Sequence, residues 1–196
     1  PRWMVTLRGR QDAAGEAATR IGLIAANSEA VMMMVRSGEA ALGFIETVTV
    51  PTDLRVRSLG FDELRLAVAP QHPWAKRHRP ITAQELARTP LVTREPGSGT
   101  RQSLEQLLLG CEGIDTIASP RVELTSTAAV RAAIAAGTAP GVLSALALAD
   151  DLALGRLRAL KVEGVSLRRQ LSAVWPAGRT PASWPAQDLL TVALAG

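Results

Sequence analysis

Cysteine is nearly absent: Cys111 is the only one in 196 residues. A single thiol excludes an internal disulfide framework. No histidine or other deprotonating partner lies near it in sequence, so it reads as a small, inert side chain near a helix end. Histidine is almost as scarce. His72 and His78 flank Pro73 and Trp74 in a basic run with Lys76, Arg77 and Arg79. A metal centre needs several ligands at fixed geometry, so this run reads as a solvated connector, and no metal or cofactor is expected. Tyrosine is missing and aromatics amount to 3%, which leaves no basic-plus-aromatic face on which single-stranded nucleic acid could stack. Long apolar runs are missing too. No stretch approaches the roughly 18 residues of a membrane span, and mean hydropathy is only +0.13. No N-terminal stretch has the charged, apolar and small-residue order of a signal peptide, so a cytoplasmic location is expected.

What is present suits a packed α/β protein. Apolar residues make up 47% of the chain, enough for a full core in one ordinary domain or two small ones. The net charge of +4 and a pI near 10.5 suit anionic partners. The basic residues are dispersed, and no helix-turn-helix pattern occurs among them.

Periodicity predicts alternating strands and helices. A helix is expected from Pro1 to about Asp12, then a buried strand over 20–26, carried by Ile21, Leu23 and Ile24. Asn27-Ser28 caps a helix from Glu29 to Ser37, with Gly38 as its stop. Further strands are expected at 41–46, 54–59 and 64–69, and Thr82 with Glu85 forms a capping box. Strands follow at 91–95, 121–125, 140–144, 157–162 and 170–175, with helices between them and a last helix from Pro181 to about Leu194. Alternation of this kind argues for parallel sheets, and runs such as Leu23-Ile24 and Val142-Leu143 suit sheets covered on both faces.

The stretch Leu91-Val92-Thr93-Arg94-Glu95-Pro96-Gly97-Ser98-Gly99-Thr100-Arg101 stands out. A strand must end at Pro96. Gly97 and Gly99 permit a tight turn, and Ser98 or Thr100 can cap the helix that follows. A row of N–H donors at a positive helix end is suited to an anion or a polar head group. The stretch lacks the Lys of a Walker loop, since Arg101 follows Thr100, and the spacing of a hydrolase elbow. The plain alternative is a turn that only caps its helix.

A second pattern is an internal echo. Asn27-Ser28-Glu29-Ala30-Val31, Val35 and Gly38 recur as Ser126-Thr127-Ala128-Ala129-Val130, Ile134 and Gly137. Capped, Ala-rich helices align easily, yet two copies suggest two similar α/β halves. Ligands of open α/β sheets bind at strand carboxyl ends, so such halves would converge Ser28, Ser98, Gly99, Thr100, Ser126 and Thr127 on one cleft. Glu29, Glu46 and Glu95 stand singly, without a triad or a histidine partner, so binding is expected and catalysis is not.

These residues carry a family resemblance. Asn27-Ser28-Glu29, the run Gly38 to Glu46, Leu66 to Pro73, Arg94 to Arg101, and Ser126-Thr127 followed by Gly141-Val142 resemble the effector-binding domain of LysR-type transcriptional regulators over essentially the whole chain. The resemblance implies two Rossmann-like subdomains joined by two crossover strands, similar to type 2 periplasmic binding proteins. The crossovers fall near Leu66 to Pro70 and Leu171 to Trp175. Subdomain I is then 1–68 plus 171–196, apparently without its first strand, and subdomain II is 69–170. A small effector, expected from the chemistry to be an anion or carboxylate, would sit in the cleft. The implied ligand residues are Asn27, Ser28, Glu46, Thr47, Thr93, Ser98, Gly99, Thr100, Ser126, Thr127, Pro140 and Gly141. The family further implies a homodimer through this domain, a tetramer in the full-length protein, and DNA contact only through an N-terminal helix-turn-helix absent from this chain. A periplasmic-type solute-binding protein of the same fold is the alternative. An enzyme on a related fold would need a paired acid and base, which the sequence does not offer.

Overall fold

The computed structural model describes residues 21–47, 50–177 and 184–195, with residues 5, 6, 9, 12 and 13. It divides into two compact units. Unit 1 is Pro1–Ile45, Thr49–Gly60 and Leu171–Gly196, and unit 2 is Glu46–Val48 and Phe61–Gln170. Of the first expected helix, Val5, Thr6, Gly9 and Asp12 are helical, and its other residues lie outside those described.

In unit 1, α1 (Ser28–Ser37) forms because Asn27 caps it and Gly38 stops it. The Asn27 side chain accepts from Ala30 N–H, and Gly38 sits at φ 80°, a left-handed position that favours glycine. Met32 and Val35 fall one turn apart and are buried with Ile45, Leu54 and Val174. β1 (Gly43–Ile45) pairs antiparallel with β9 (Arg168–Pro176), Phe44 opposite Ala173. Gly43 lets helix and strand close up, since a Cβ there would stand 2.6 Å from Val31 Cγ1. The final helix, α6, runs Trp184–Ala195; its entry over 181–183 lies outside the described residues.

The strand expected over 20–26 does not form. Residues 21–27 are irregular, and Leu23 and Ile24 are 70% and 54% exposed. An apolar run becomes a buried strand only where a neighbour supplies ladder partners and a covering face, and this run has neither among the described residues. The two strands expected at 54–59 and 64–69 are one, β2 (Leu54–Val68). Gly60 keeps it continuous, taking φ 141°, which a side chain would resist. β2 starts in unit 1 and ends in unit 2, and β9 runs the other way.

Unit 2 is a mixed sheet with helices on both faces. β4 (Val92–Arg94) pairs parallel with β5 (Val122–Leu124) and with β6 (Gly141–Ser144). β6 and β7 (Arg158–Leu160) pair antiparallel with β2, so the expected parallel arrangement holds only for β6, β4 and β5 at one end of the sheet. Neighbouring residues point to opposite faces, and the core divides accordingly. Leu64, Leu66, Leu91 and Val142 pack with Leu86 of α2 (Ala83–Ala87) and with Leu104 and Leu108 of α3 (Gly99–Leu109). Ala67, Val92 and Leu143 pack with Val130 and Ile134 of α4 (Thr127–Ala135) and Leu148 of α5 (Ala145–Ala153). The capping box at Thr82 and Glu85 forms as expected. Arg77 and the Thr82 N–H hold the Glu85 carboxyl below its usual range, the backbone bond being the larger cause. A short parallel pair, β3 (Ile81–Thr82) with β8 (Val162–Glu163), lies apart.

Candidate functional site

The Pro/Gly turn after β4 folds as its residues dictate. Ser98 N–H closes a turn onto Glu95 O at 3.2 Å, and Gly97 takes φ 84°. The chain then enters α3 with Ser98 at the cap position, but the Ser98 side chain makes no capping hydrogen bond. The expected hydroxyl cap is therefore absent. Ser98, Gly99 and Thr100 are all buried.

Thr100 explains part of this. Its hydroxyl accepts from Arg169 Nη1 at 2.7 Å and donates to Glu46 Oε2 at 3.4 Å. The other Nη1 hydrogen of Arg169 goes to the same Glu46 oxygen at 2.7 Å. On its far edge, Arg169 donates to Asp62 Oδ2 from Nε at 2.9 Å and from Nη2 at 2.7 Å. Ser144 Oγ donates to the second Asp62 oxygen at 3.0 Å, and Ser103 Oγ donates to the Glu46 carbonyl at 2.8 Å. Arg169 and Asp62 side chains are 3% and 6% exposed, whereas Glu46 is 42% exposed. A buried guanidinium needs a counter-ion and hydrogen-bond partners to offset its lost hydration; Asp62 is the buried counter-ion, and Asp62, Glu46 and Thr100 share the hydrogen bonds.

Arg169, Asp62, Ser103 and Ser144 were not among the expected site residues. One signal was legible. In Phe61-Asp62-Glu63-Leu64-Arg65-Leu66, Asp62 shares the inward register with Leu64 and Leu66, and a charge on an apolar face calls for a buried partner. Its partner repeats the pattern on β9. Arg168 stacks over the Phe61 ring at 4.6 Å on the exposed side, and Arg169 meets Asp62 on the inner side.

The remaining expected residues divide. Thr127 Oγ1 accepts from Arg94 Nη1 at 2.9 Å, and the rest of that guanidinium grips Glu95 at 2.7 and 2.9 Å. This ties the end of β4 to the start of α4. Ser126 is spent locally, its hydroxyl accepting from Ala129 N–H at 3.1 Å. Asn27 does the same in unit 1, and Ser28 beside it is buried. Thr93 donates to Arg94 O at 3.2 Å, and Thr47 is 1% exposed. Pro140 O accepts from Val92 N–H at 2.8 Å. Gly141 is required by packing, since a Cβ would lie 2.5 Å from Ile134 Cδ1 and 2.9 Å from Val92 O. Arg101, on the outer side of α3, bonds Glu105 and Glu123 at 2.7 and 2.6 Å. Burial pulls its pKa down, but those two carboxylates outweigh it and hold it above the ordinary value. Among the described residues, no group of three His, Cys, Asp or Glu side chains could hold a metal ion, and no helix is long and apolar enough to cross a membrane.

Comparison with known proteins bears on this arrangement. The model of the LysR substrate binding domain matches residues 16–194. An HTH-type transcriptional regulator of Mycobacterium tuberculosis is 48% identical over 192 residues, which is 97% of this chain and 62% of the relative. The chain thus spans about three fifths of that relative's length. Among solved structures, the regulatory domain of Synechocystis PCC6803 CcmR in complex with 2-PG superposes with a TM-score of 0.79 at 24% identity, over 99% of this chain and 90% of that one. The effector binding domain of QuiR in complex with shikimate gives 0.81 at 15% identity, over 98% and 87%. These likenesses show the fold, that of effector-binding domains resembling type 2 periplasmic binding proteins.

Proposed function

The chain belongs to the LysR substrate-binding domain family, and from that premise we propose that it is the effector-sensing domain of a DNA-binding transcription regulator whose effector is a small anion. The HTH-type relatives favour this reading over a solute-binding protein of the same fold. One observation carries the placement of the site. α3 begins with no side-chain cap, so its first N–H groups and the positive end of its dipole are left to an outside acceptor. The binding group is then the Ser98-Gly99-Thr100 turn, with Thr47 and Thr93 on the preceding strand ends. Hydroxyls and N–H groups hold an anion while letting it go readily. The domain senses and does not catalyse. Effector occupancy biases it between two conformations by differential affinity. The domain pairs with a second copy, and higher assembly and DNA contact belong to the whole regulator in the cytoplasm.

The test is a thermal-shift screen of small carboxylates and phosphate esters against the native chain and the Ser98→Ala and Thr100→Val variants. Ligand that binds only the folded form raises the melting temperature with concentration. The expected result is an anionic hit that both variants lose. A hit that both variants keep, or tight binding of neutral or cationic metabolites alone, overturns the assignment.

A further inference from the structure

The guanidinium of Arg169 faces two carboxylates that differ in kind. Asp62 takes two of its nitrogens, is almost fully buried, and has its other oxygen bonded to Ser144. That pair is balanced in charge, while the Nη1 hydrogens of Arg169 are left to Glu46 and Thr100. Glu46 is surplus. It touches Arg169 through a single oxygen and nearly half of its side chain meets solvent. The same oxygen takes the Thr100 hydroxyl. A structural ion pair would gain from burial and two-pronged contact, and Glu46 has neither. Because Glu46 is half-exposed, water can take over its carboxylate at a lower cost than it could that of the buried Asp62.

We propose that Glu46 is a built-in competitor for the effector: its carboxylate occupies the seat of an incoming carboxylate or phosphate oxygen, bonded to Arg169 Nη1 and Thr100 Oγ1. This inference rests on the reading of the α3 turn as the effector site and adds how that site is regulated. An anion arriving at the Ser98–Thr100 turn takes over both donors and releases Glu46. Glu46 also opens the short stretch by which the chain first enters unit 2, and Ser103 keeps hold of its carbonyl when the carboxylate leaves. The resident carboxylate sets a threshold. Anions too weak to displace it leave the domain unchanged, and the site discriminates by charge and donor geometry.

The experiment is calorimetric titration of the purified chain with inorganic phosphate, comparing the native protein with Glu46→Ala and Glu63→Ala. Glu63 is the control, an exposed carboxylate that pairs with Arg65 away from Thr100. Loss of a tethered competitor should tighten phosphate binding by at least about tenfold in Glu46→Ala, with little change in Glu63→Ala. Adding Thr100→Val to Glu46→Ala should abolish the gain, and circular dichroism verifies that each variant is folded. An equal gain in both single variants, no gain in Glu46→Ala, or a gain that survives Thr100→Val each overturns the proposal. If the metabolite screen yields an anion lost in the Ser98 and Thr100 variants while Glu46→Ala binds phosphate no better, the competitor is refuted and the site stands. If no anion binds in either experiment, both fall.

Discussion

Two helices of unit 2 begin with the same chemistry and end up held in different ways. α4 starts at Ser126-Thr127, and an exposed Ser126 hydroxyl caps the helix from within its own first turn. α3 starts at Ser98-Gly99-Thr100, where the hydroxyl at the cap position makes no such bond and Thr100 is tied instead to Glu46 and Arg169. The Glu46 and Arg169 partners lie 54 and 69 residues away in sequence. The first helix start is closed on itself, whereas the second depends on the rest of the unit and keeps its leading N–H groups uncapped. The Ser126 hydroxyl takes one of the leading N–H groups of α4, whereas Ser98 takes none at α3, so similar sequences are used differently.

The most severe way to break the contrast is to attack what supports α3. Asp62→Ala leaves the buried Arg169 without its buried counter-ion, with only the half-exposed Glu46 facing it, and should cost about 3–5 kcal/mol of stability, read from urea denaturation. Should the loss stay under about 1 kcal/mol, Arg169 is not held as described. Gly141→Ala tests the packing beneath α4. The new Cβ meets Ile134 and the Val92 carbonyl, and overpacking of this kind should cost about 1–3 kcal/mol. Ser126→Ala removes a working cap and should cost about 1 kcal/mol. Ser98→Ala, at the position that looks alike, removes no capping bond and should cost less than Ser126→Ala in the absence of ligand. If the two serine variants lose equal stability, the distinction between a spent and an unspent cap collapses.

A third helix start sharpens the comparison through pH. His72 Nδ1 accepts from Trp74 N–H at the head of the 3-10 turn Pro73–Lys76, a bond that only neutral imidazole can accept. Burial lowers the His72 pKa below the ordinary value. The unfolded chain therefore takes up the proton first. The contribution is present above about pH 6.5 and is lost as pH falls through the lower folded value. Melting temperature should drop between about pH 7 and 5, and His72→Asn, which keeps an acceptor without a titration, should flatten that part of the curve. A native curve matching the variant's over this range would show that His72 does not contribute.

Legibility in the sequence followed the range of the interactions. Asn27, Gly38, the Thr82–Glu85 box and Ser126 were readable because each cap is made within three or four residues. Val142 and Leu143, divided between two cores, were readable because a covered sheet needs apolar residues on both faces. The run over 20–26 misled, because apolar residues specify burial only when a partner covers them. Ser98 misled as well, since cap chemistry names a position and not the bond made there.

What the sequence determined by itself was the set of short-range structures: which segments turn, which cap, which alternate, and that strands and helices follow one another in an α/β order. Local geometry and backbone hydrogen bonding suffice for those. What only the tertiary structure decided was the surroundings of Arg169. Two adjacent arginines on β9 are chemically alike, yet one lies over Phe61 at the surface and the other is buried against Asp62, Glu46 and Thr100. The cost of burying a charge is met by partners from β2, the residue after β1, and the start of α3. Such a long-range set has no spacing to read, and it exists only once those segments have been brought together.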